Sequence, residues 1–466
     1  MSLITNCDLI IKNGKVFEKN RFKKNHIVIK DGKIFKLTKN IKSFKSKKII
    51  NADKKIVIPG IIDIHFHVRA PSFPQRGTVQ SETKAAAKGG ITTLFEMPIS
   101  NPCMSNAKVL NYRKKHFDEN TYINFAMIPA LGKFNDKNLN GLINSGAIAF
   151  KVFTIAPPLD RKSEFEGLCF TEEKNILKAL IHAKKSNLTT IFHAEDQNLL
   201  DHFEKNQKNF KKNNPAMHNA MRPAVVEASA IEKILRLNSI VKTKVHIAHV
   251  TSELSLEVIS KFKNKGQSIT AETCPHYLFK NEKDVIRSGP FGKINPPIRY
   301  QKDQKKLWSA LKNKTLDIIA SDHASFSYNE KIKGEKNFLK APPGAPSGEL
   351  MLPLMLKAVS EKKIKLEKVI ELMCINPAKR FNIFPNKGLI KRGSDADIVI
   401  LDMNKKWTVD RNTLVSKGKN CAHLYFGEKI KGKINKTIVN GNVVYDGKKF
   451  YRNRNMNNFV SPIRKN

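Results

Sequence analysis

The 466-residue chain has no run approaching the roughly 18 consecutive apolar residues that a membrane helix needs. Its opening, MSLITNCDLIIKNGKVF, lacks the long apolar core and small-residue cleavage site of a secretion signal. These absences predict a soluble cytoplasmic protein with no membrane partner. Cysteine is sparse and scattered (Cys7, Cys103, Cys169, Cys274, Cys374, Cys421), with no Cys-x-x-Cys pair. A chain this long builds a core without disulfides, so reduced thiols are expected. Acidic residues are few, 41 against 84 lysines and arginines, for a formal net charge of +43. The basic runs, such as KNIKSFKSKK and NFKKNN, carry no interleaved aromatics and no recognisable binding module. They read as a lysine-rich solvated surface, so nucleic acid is not an expected partner, while anionic substrates are attracted.

What is present divides by pattern. The first fifty or so residues contain DLIIKNGKVF, HIVIKDGKIFKL and KKIINADKKIVIPG, β-branched runs broken by Asn-Gly and Asp-Gly, a hairpin signal. The region after Gly388 has the same chemistry in GLIKRGSDADIVILD and KTIVNGNVVYDGKKF. The expectation is one small β domain built from residues 1–57 and 388–450, with 451–466 as a tail. Between them, in 58–387, eight apolar runs alternate with helix-like stretches such as EEKNILKALIHAKKSN and VVEASAIEKILRLN. Repeated strand–helix units predict a parallel sheet, and eight fit an α/β (β/α)8 barrel of the TIM type, with functional residues at the C-terminal strand ends.

Those strand ends are chemically unusual. GIIDIHFH closes on His65 and His67, which a strand points to one side. The fourth run carries Lys151, the fifth ends at His193, the sixth contains His246 and His249, and the eighth ends at Asp322. Each has a structural reading alone: a finished strand, a surface lysine, a satisfied core histidine, a capping aspartate. Together they form a nitrogen and oxygen donor set suited to Zn²⁺ or a neighbouring divalent metal. A free ammonium would repel a metal. Lys151 fits if its amine takes up CO₂ to give an anionic carbamate bridging two ions.

At DIHFHVR, GGITTLFEMP, FKVF, HAED, HIAHVTS, ITAETCPHYL, NPPIR and IASDHA the chain resembles the amidohydrolase superfamily. Within it the likeness is to the cyclic amidohydrolases: dihydroorotase, allantoinase and dihydropyrimidinase (hydantoinase). The resemblance implies a TIM-like barrel with a β sandwich made from both termini. It implies one metal on His65, His67, Lys151 and Asp322, and another on carbamylated Lys151, His193 and His249. His246 then stands behind the ligands. The implied reaction is opening of a cyclic amide by hydroxide, with Asp322 moving the proton to the leaving nitrogen. A homodimer or homotetramer is implied as well. Non-catalytic scaffolds among the dihydropyrimidinase relatives have lost ligands, whereas here each ligand position is filled.

The substrate signals divide. Arg69, in His-x-His-x-Arg, and Asn295, in KINPPIR, resemble dihydroorotase, where the arginine grips a substrate carboxylate. Ile99 stands where dihydroorotases have an asparagine, and Phe326 where they have a histidine contact. The FKVF context of Lys151 resembles allantoinase or hydantoinase. The expectation is a dihydroorotase-like enzyme, with a hydantoinase- or allantoinase-like one as the alternative.

Overall fold

The eight apolar runs all become parallel strands, with helices between them. The computed structural model describes residues 4–206, 210–453 and 457–463. The strands are β1 (Ile61–His67), β2 (Ile91–Glu96), β3 (Asn124–Met127), β4 (Ala149–Phe153) and β5 (Thr189–His193). They continue with β6 (Val245–Ile247), β7 (Ile269–Thr273), β8 (Ile318–Ile319) and β9 (His323–Ala324), the last two from a single run. Hydrogen bonding orders them as β3-β2-β1-β9 and β4-β5-β6-β7-β8. An isolated parallel bridge, Ala130 to Lys151, links the two sheets on one side. On the other side residues 320–322 carry the chain from β8 to β9.

Nearly every strand position is buried, as sheets covered on both faces require. One face packs Leu94, Phe125, Phe150 and Phe192 against helix residues such as Leu180 and Ile231. The other gathers Ile62, Ile64, Phe95, Ala126, Ala149, Ile191 and Ile318 into a separate core. Alternation places Lys151 on the face of Ala149 and His193 on the face of Ile191. In β1 the register shifts between Asp63 and Phe66. Past that irregularity Phe66 turns to the helix side and stacks on His323, 4.2 Å between ring centres. His65 and His67 point the opposite way, so the shift re-aims the strand at its exit. The helices follow from amphipathic spacing: Ala224–Val241 buries Val226, Ala230, Ile231, Ile234, Leu237 and Val241.

The two termini do meet. Leu9–Glu18, Arg21–Lys30, Lys33–Thr38 and Ile56–Pro59 join Ile398–Thr408, Lys429–Val439 and Asn442–Tyr445 in one eight-stranded sheet, whose remaining strand is Ile49–Asn51. Asp31-Gly32 and Asn440-Gly441 make the expected hairpin turns, with φ of 53° and 71°, and 45° and 77°. Asn13-Gly14 does not. It lies inside the strand Leu9–Glu18, where the register slips between Ile11 and Gly14. A Cβ on Gly14 would sit 2.6 Å from Val57, so this glycine serves a close strand approach rather than a turn. The described part of the tail also pairs: Phe125 N donates to Asn458 O at 2.9 Å, and Ile463 N to Asn382 O at 2.7 Å.

One buried carboxylate ties the parallel strands to the terminal sheet. Asp397 accepts from Lys387 Nζ at 2.6 Å, Asn124 Nδ2 at 2.9 Å and Asn440 N at 2.9 Å. Lys387→Met removes the cation and leaves the acid buried. We expect unfolding free energy to fall by about 3–5 kcal/mol, measured by urea denaturation. A loss below about 1 kcal/mol, the range of an exposed pair, would mean that Asp397 does not depend on Lys387.

Candidate metal centre

The predicted donors converge at the C-terminal strand ends. Nε2 of His65 and Nε2 of His67 lie 3.3 and 3.5 Å from Asp322 Oδ1. These three residues each offer an atom within 4.8 Å of the others. Beside them, His193 Nδ1 and His249 Nε2 are 2.9 Å apart. The His65 and His249 ring centres are 5.3 Å apart, so the two groups are neighbours. His249 lies two residues beyond β6, and Asp322 in the link between β8 and β9. Lys151 is fully buried, and its Nζ has no hydrogen-bond partner. It is close enough to both groups to act on the titration of all four imidazoles.

The electrostatics leave these donors able to ligate. Burial, the largest cause, pulls His65, His67, His193 and His249 below the usual imidazole range, against the opposing Glu195 at His193 and with Lys151 adding to it at all four, so these rings are neutral near neutral pH. Burial also lowers the Lys151 ammonium and raises the Asp322 carboxyl. A buried cation without a hydrogen bond is costly, which fits a group that is neutral or covalently converted in the working protein. His67 Nδ1 and His249 Nδ1 also lack partners.

Carboxylates behind the imidazoles set their orientation, and the sequence reading did not assign them. Glu272, fully buried in β7, meets His65 Nδ1 through one oxygen and His246 Nε2, at 3.1 Å, through the other. It also accepts from the His249 backbone N at 3.3 Å. Burial acts to raise Glu272, but His65 and His246 hold it below the usual carboxylate range. His246 thus stands behind the donors, braced by Thr270 Oγ1 at 2.8 Å. Glu195 meets His193 Nε2 at 2.8 Å and Arg222 Nη1 at 2.7 Å. Burial opposes its ionisation, yet Arg222 and His193 hold it down to about 2. Such partners fix the imidazole tautomer and aim the free nitrogen. The clue was in the sequence: a glutamate interrupting QSITAETC demands a partner as much as Lys151 after GAIAF does.

The donors open into a cavity of about 560 Å³. Arg69, Asn295, Ile99 and Phe326 line it together with His65, His67, His193, His249 and Asp322. Arg69 is 4 % exposed, so it is not a surface residue. Its backbone N donates to Glu96 Oε1 at 2.9 Å, and Glu96 is in turn paired with Arg113. Its Nη1 donates to the Ser325 carbonyl at 3.1 Å, and its Nε is unpartnered. Among the described residues no carboxylate lies within ion-pair distance of it, whereas Arg161 and Arg222, in the same wall, pair with Glu164 and Glu195. The Asn295 carboxamide oxygen is buried and unpartnered. Ile99 packs with Phe153 and Phe165 in an apolar wall, and Asn101, its polar neighbour, is exposed. Three of the site residues, Arg69, His249 and Asp322, hold positive φ (60°, 37° and 46°). Non-glycine residues adopt that region at an energetic cost, and such outliers cluster at functional sites.

The Amidohydrolase family matches residues 56–444. A dihydroorotase of Clostridioides difficile (strain 630) is 33 % identical over 444 residues, covering 94 % of this chain and 100 % of its own length. An L-hydantoinase of Paenarthrobacter aurescens is 30 % identical over 442 residues, covering 94 % of each. Among solved structures, the L-hydantoinase (dihydropyrimidinase) from Arthrobacter aurescens superposes with a TM-score of 0.90 at 28 % identity, over 96 % of this chain and 97 % of that one. The chain therefore belongs to the amidohydrolase family, in the group that hydrolyses cyclic amides.

Proposed function

We propose that this enzyme is dihydroorotase-like, opening a cyclic amide that carries a carboxylate. The observation that carries the reading is Arg69: a buried guanidinium in the cavity wall, with its Nε free and no acid paired to it among the described residues. A guanidinium fork matches a carboxylate bidentately, and a buried cation without a counter-ion calls for an anionic ligand. The framework in this reading is a (β/α)8 barrel, closed by the Ala130–Lys151 bridge and the 320–322 link, with the terminal sheet as a β sandwich. The family likeness extends the proposal to a cytoplasmic dimer or tetramer.

The donors fit two divalent ions, with zinc the expected one. His65, His67, Lys151 and Asp322 would hold the first, and Lys151, His193 and His249 the second, Lys151 serving both as a carbamate. Support comes from the orphaned Lys151 Nζ and the all-nitrogen-and-oxygen chemistry of the set. When bound, such ions polarise the amide carbonyl and acidify water. The protein's own groups do the rest. Arg69 and Asn295 orient the ring, and Glu272 and Glu195 keep the imidazoles aimed. Asp322, with its carboxyl raised by burial, accepts a proton and passes it to the leaving ring nitrogen.

A second reading, a hydantoinase- or allantoinase-like enzyme, is favoured by the apolar wall of Ile99, Phe153 and Phe165, which suits an uncharged substituent. The solved hydantoinase superposes over nearly the whole chain.

Two predictions follow from the site. Lys151→Ala should lower metal content, measured by plasma mass spectrometry, together with turnover, and added short carboxylic acids should partly restore both. Normal metal content and normal turnover in that variant would remove the carbamate. Arg69→Met should keep its metal and lose about 2–5 kcal/mol of transition-state stabilisation on dihydroorotate, with a small loss on uncharged dihydrouracil. Equal losses on both rings would assign Arg69 to the fold or the metals, and no loss on either would favour the hydantoinase-type reading.

A further inference from the structure

Phe326 stands where the dihydroorotase pattern has a residue that contacts the substrate directly, and its ring offers no hydrogen bond. Its surroundings give it another use. The side chain is 1 % exposed yet reaches the cavity wall. Two guanidinium centres lie over its ring, Arg69 Cζ at 4.5 Å and Arg76 Cζ at 4.9 Å.

The two cations are not equivalent. Arg76 is paired with Glu330 at 2.8 Å and lies 3.9 Å from Glu164. It also covers Phe73, 4.2 Å from that ring centre. Arg76 is therefore neutralised and fixed. Among the described residues Arg69 has only the Ser325 carbonyl and the Phe326 ring at its charged end. The ring itself has little freedom. A Cβ on Gly344, whose φ is 142°, would meet Phe326 Cε2 at 3.0 Å, so the loop backbone is packed against its edge. The Phe326 carbonyl accepts from Cys421 Sγ at 3.3 Å, and Ser325 Oγ donates to the Arg76 carbonyl at 2.7 Å. Ser325, Phe326 and Arg76 form one braced unit beneath Arg69.

An aromatic face attracts a guanidinium through its quadrupole without engaging the N–H fork. A carboxylate in the same place would hold Arg69 equally well but occupy the donors that a substrate needs. An aliphatic side chain would leave them free but hold nothing. We propose that Phe326 is a positioning residue for Arg69, presenting the unneutralised guanidinium to the cavity and so setting the preference for an anionic substituent. This rests on the reading that Arg69 receives the substrate carboxylate.

The test compares Phe326→Leu, Phe326→Tyr and Arg69→Met, on dihydroorotate and on dihydrouracil, with a crystal structure of Phe326→Leu. Leucine keeps apolar bulk and removes the π face. The expected result is a rise in KM for dihydroorotate of about tenfold, with a smaller change in kcat. The effect on dihydrouracil should be several-fold smaller, and Phe326→Tyr should stay near the parent. In the crystal structure the Arg69 guanidinium should leave its present position. A guanidinium that stays in place, or equal losses on both rings, would overturn the proposal whether or not dihydroorotate is the natural substrate. If Arg69→Met discriminates between the rings and Phe326→Leu does not, the proposal fails while the substrate reading stands. If Arg69→Met does not discriminate, the substrate reading fails and takes the proposal with it.

Discussion

The two oxygens of Glu272 hold three groups at once: the inner nitrogen of His65, the ring of His246 and the backbone of His249. The aim of His65 and the placing of His249 depend on that arrangement. With its inner nitrogen engaged, His65 can turn only its outer nitrogen towards Asp322. With its backbone held, His249 keeps a left-handed conformation and brings its ring against His193. Glu195 does for His193 what Glu272 does for His65. Two buried carboxylates, neither of them a ligand in this account, thus orient three of the four histidines, His65, His193 and His249, while His67 follows from its place on the same strand as His65.

The same logic of a buried charge seeking a partner runs through the molecule, with different outcomes. Asp397 finds Lys387 and two asparagine donors, and the result is a structural lock between the strand layers and the terminal sheet. Arg76 finds Glu330 and becomes scaffolding. Among the described residues Lys151 and Arg69 find no counter-charge at contact distance; Arg69 lines the cavity, and Lys151 lies buried beside the histidines. In a folded chain the satisfied charges stabilise, and the unsatisfied ones are where a ligand is expected.

Much of this was legible in the chain. The eight apolar runs gave the parallel strands because each carries enough β-branched and apolar residues to be buried on both faces. Lys151 stood out because a lysine after GAIAF has nowhere to reach water. Glu272 interrupts its own run in the same way, but its role depends on which histidines approach it from β1 and β6, and no local pattern carries that. Asn13-Gly14 looked like a hairpin turn because its dihedral preference is the same in a bulge and in a turn, and only the neighbouring Val57 decides between them. Phe326 read as a lost substrate contact, since the sequence does not reveal that Arg69 and Arg76 lie over its ring.

The proposed centre is a pair of adjoining donor groups with a buried lysine close enough to act on both, and the proposal gives it a definite capacity. The most direct measurement is the zinc stoichiometry of the intact chain. The protein would be stripped with chelator and reloaded in bicarbonate buffer, then read by plasma mass spectrometry alongside the thermal midpoint. The account predicts uptake of two ions per chain with a rise in midpoint, because a ligand that binds only the folded state stabilises it. Uptake of no stoichiometric metal, with an unchanged midpoint, would contradict it.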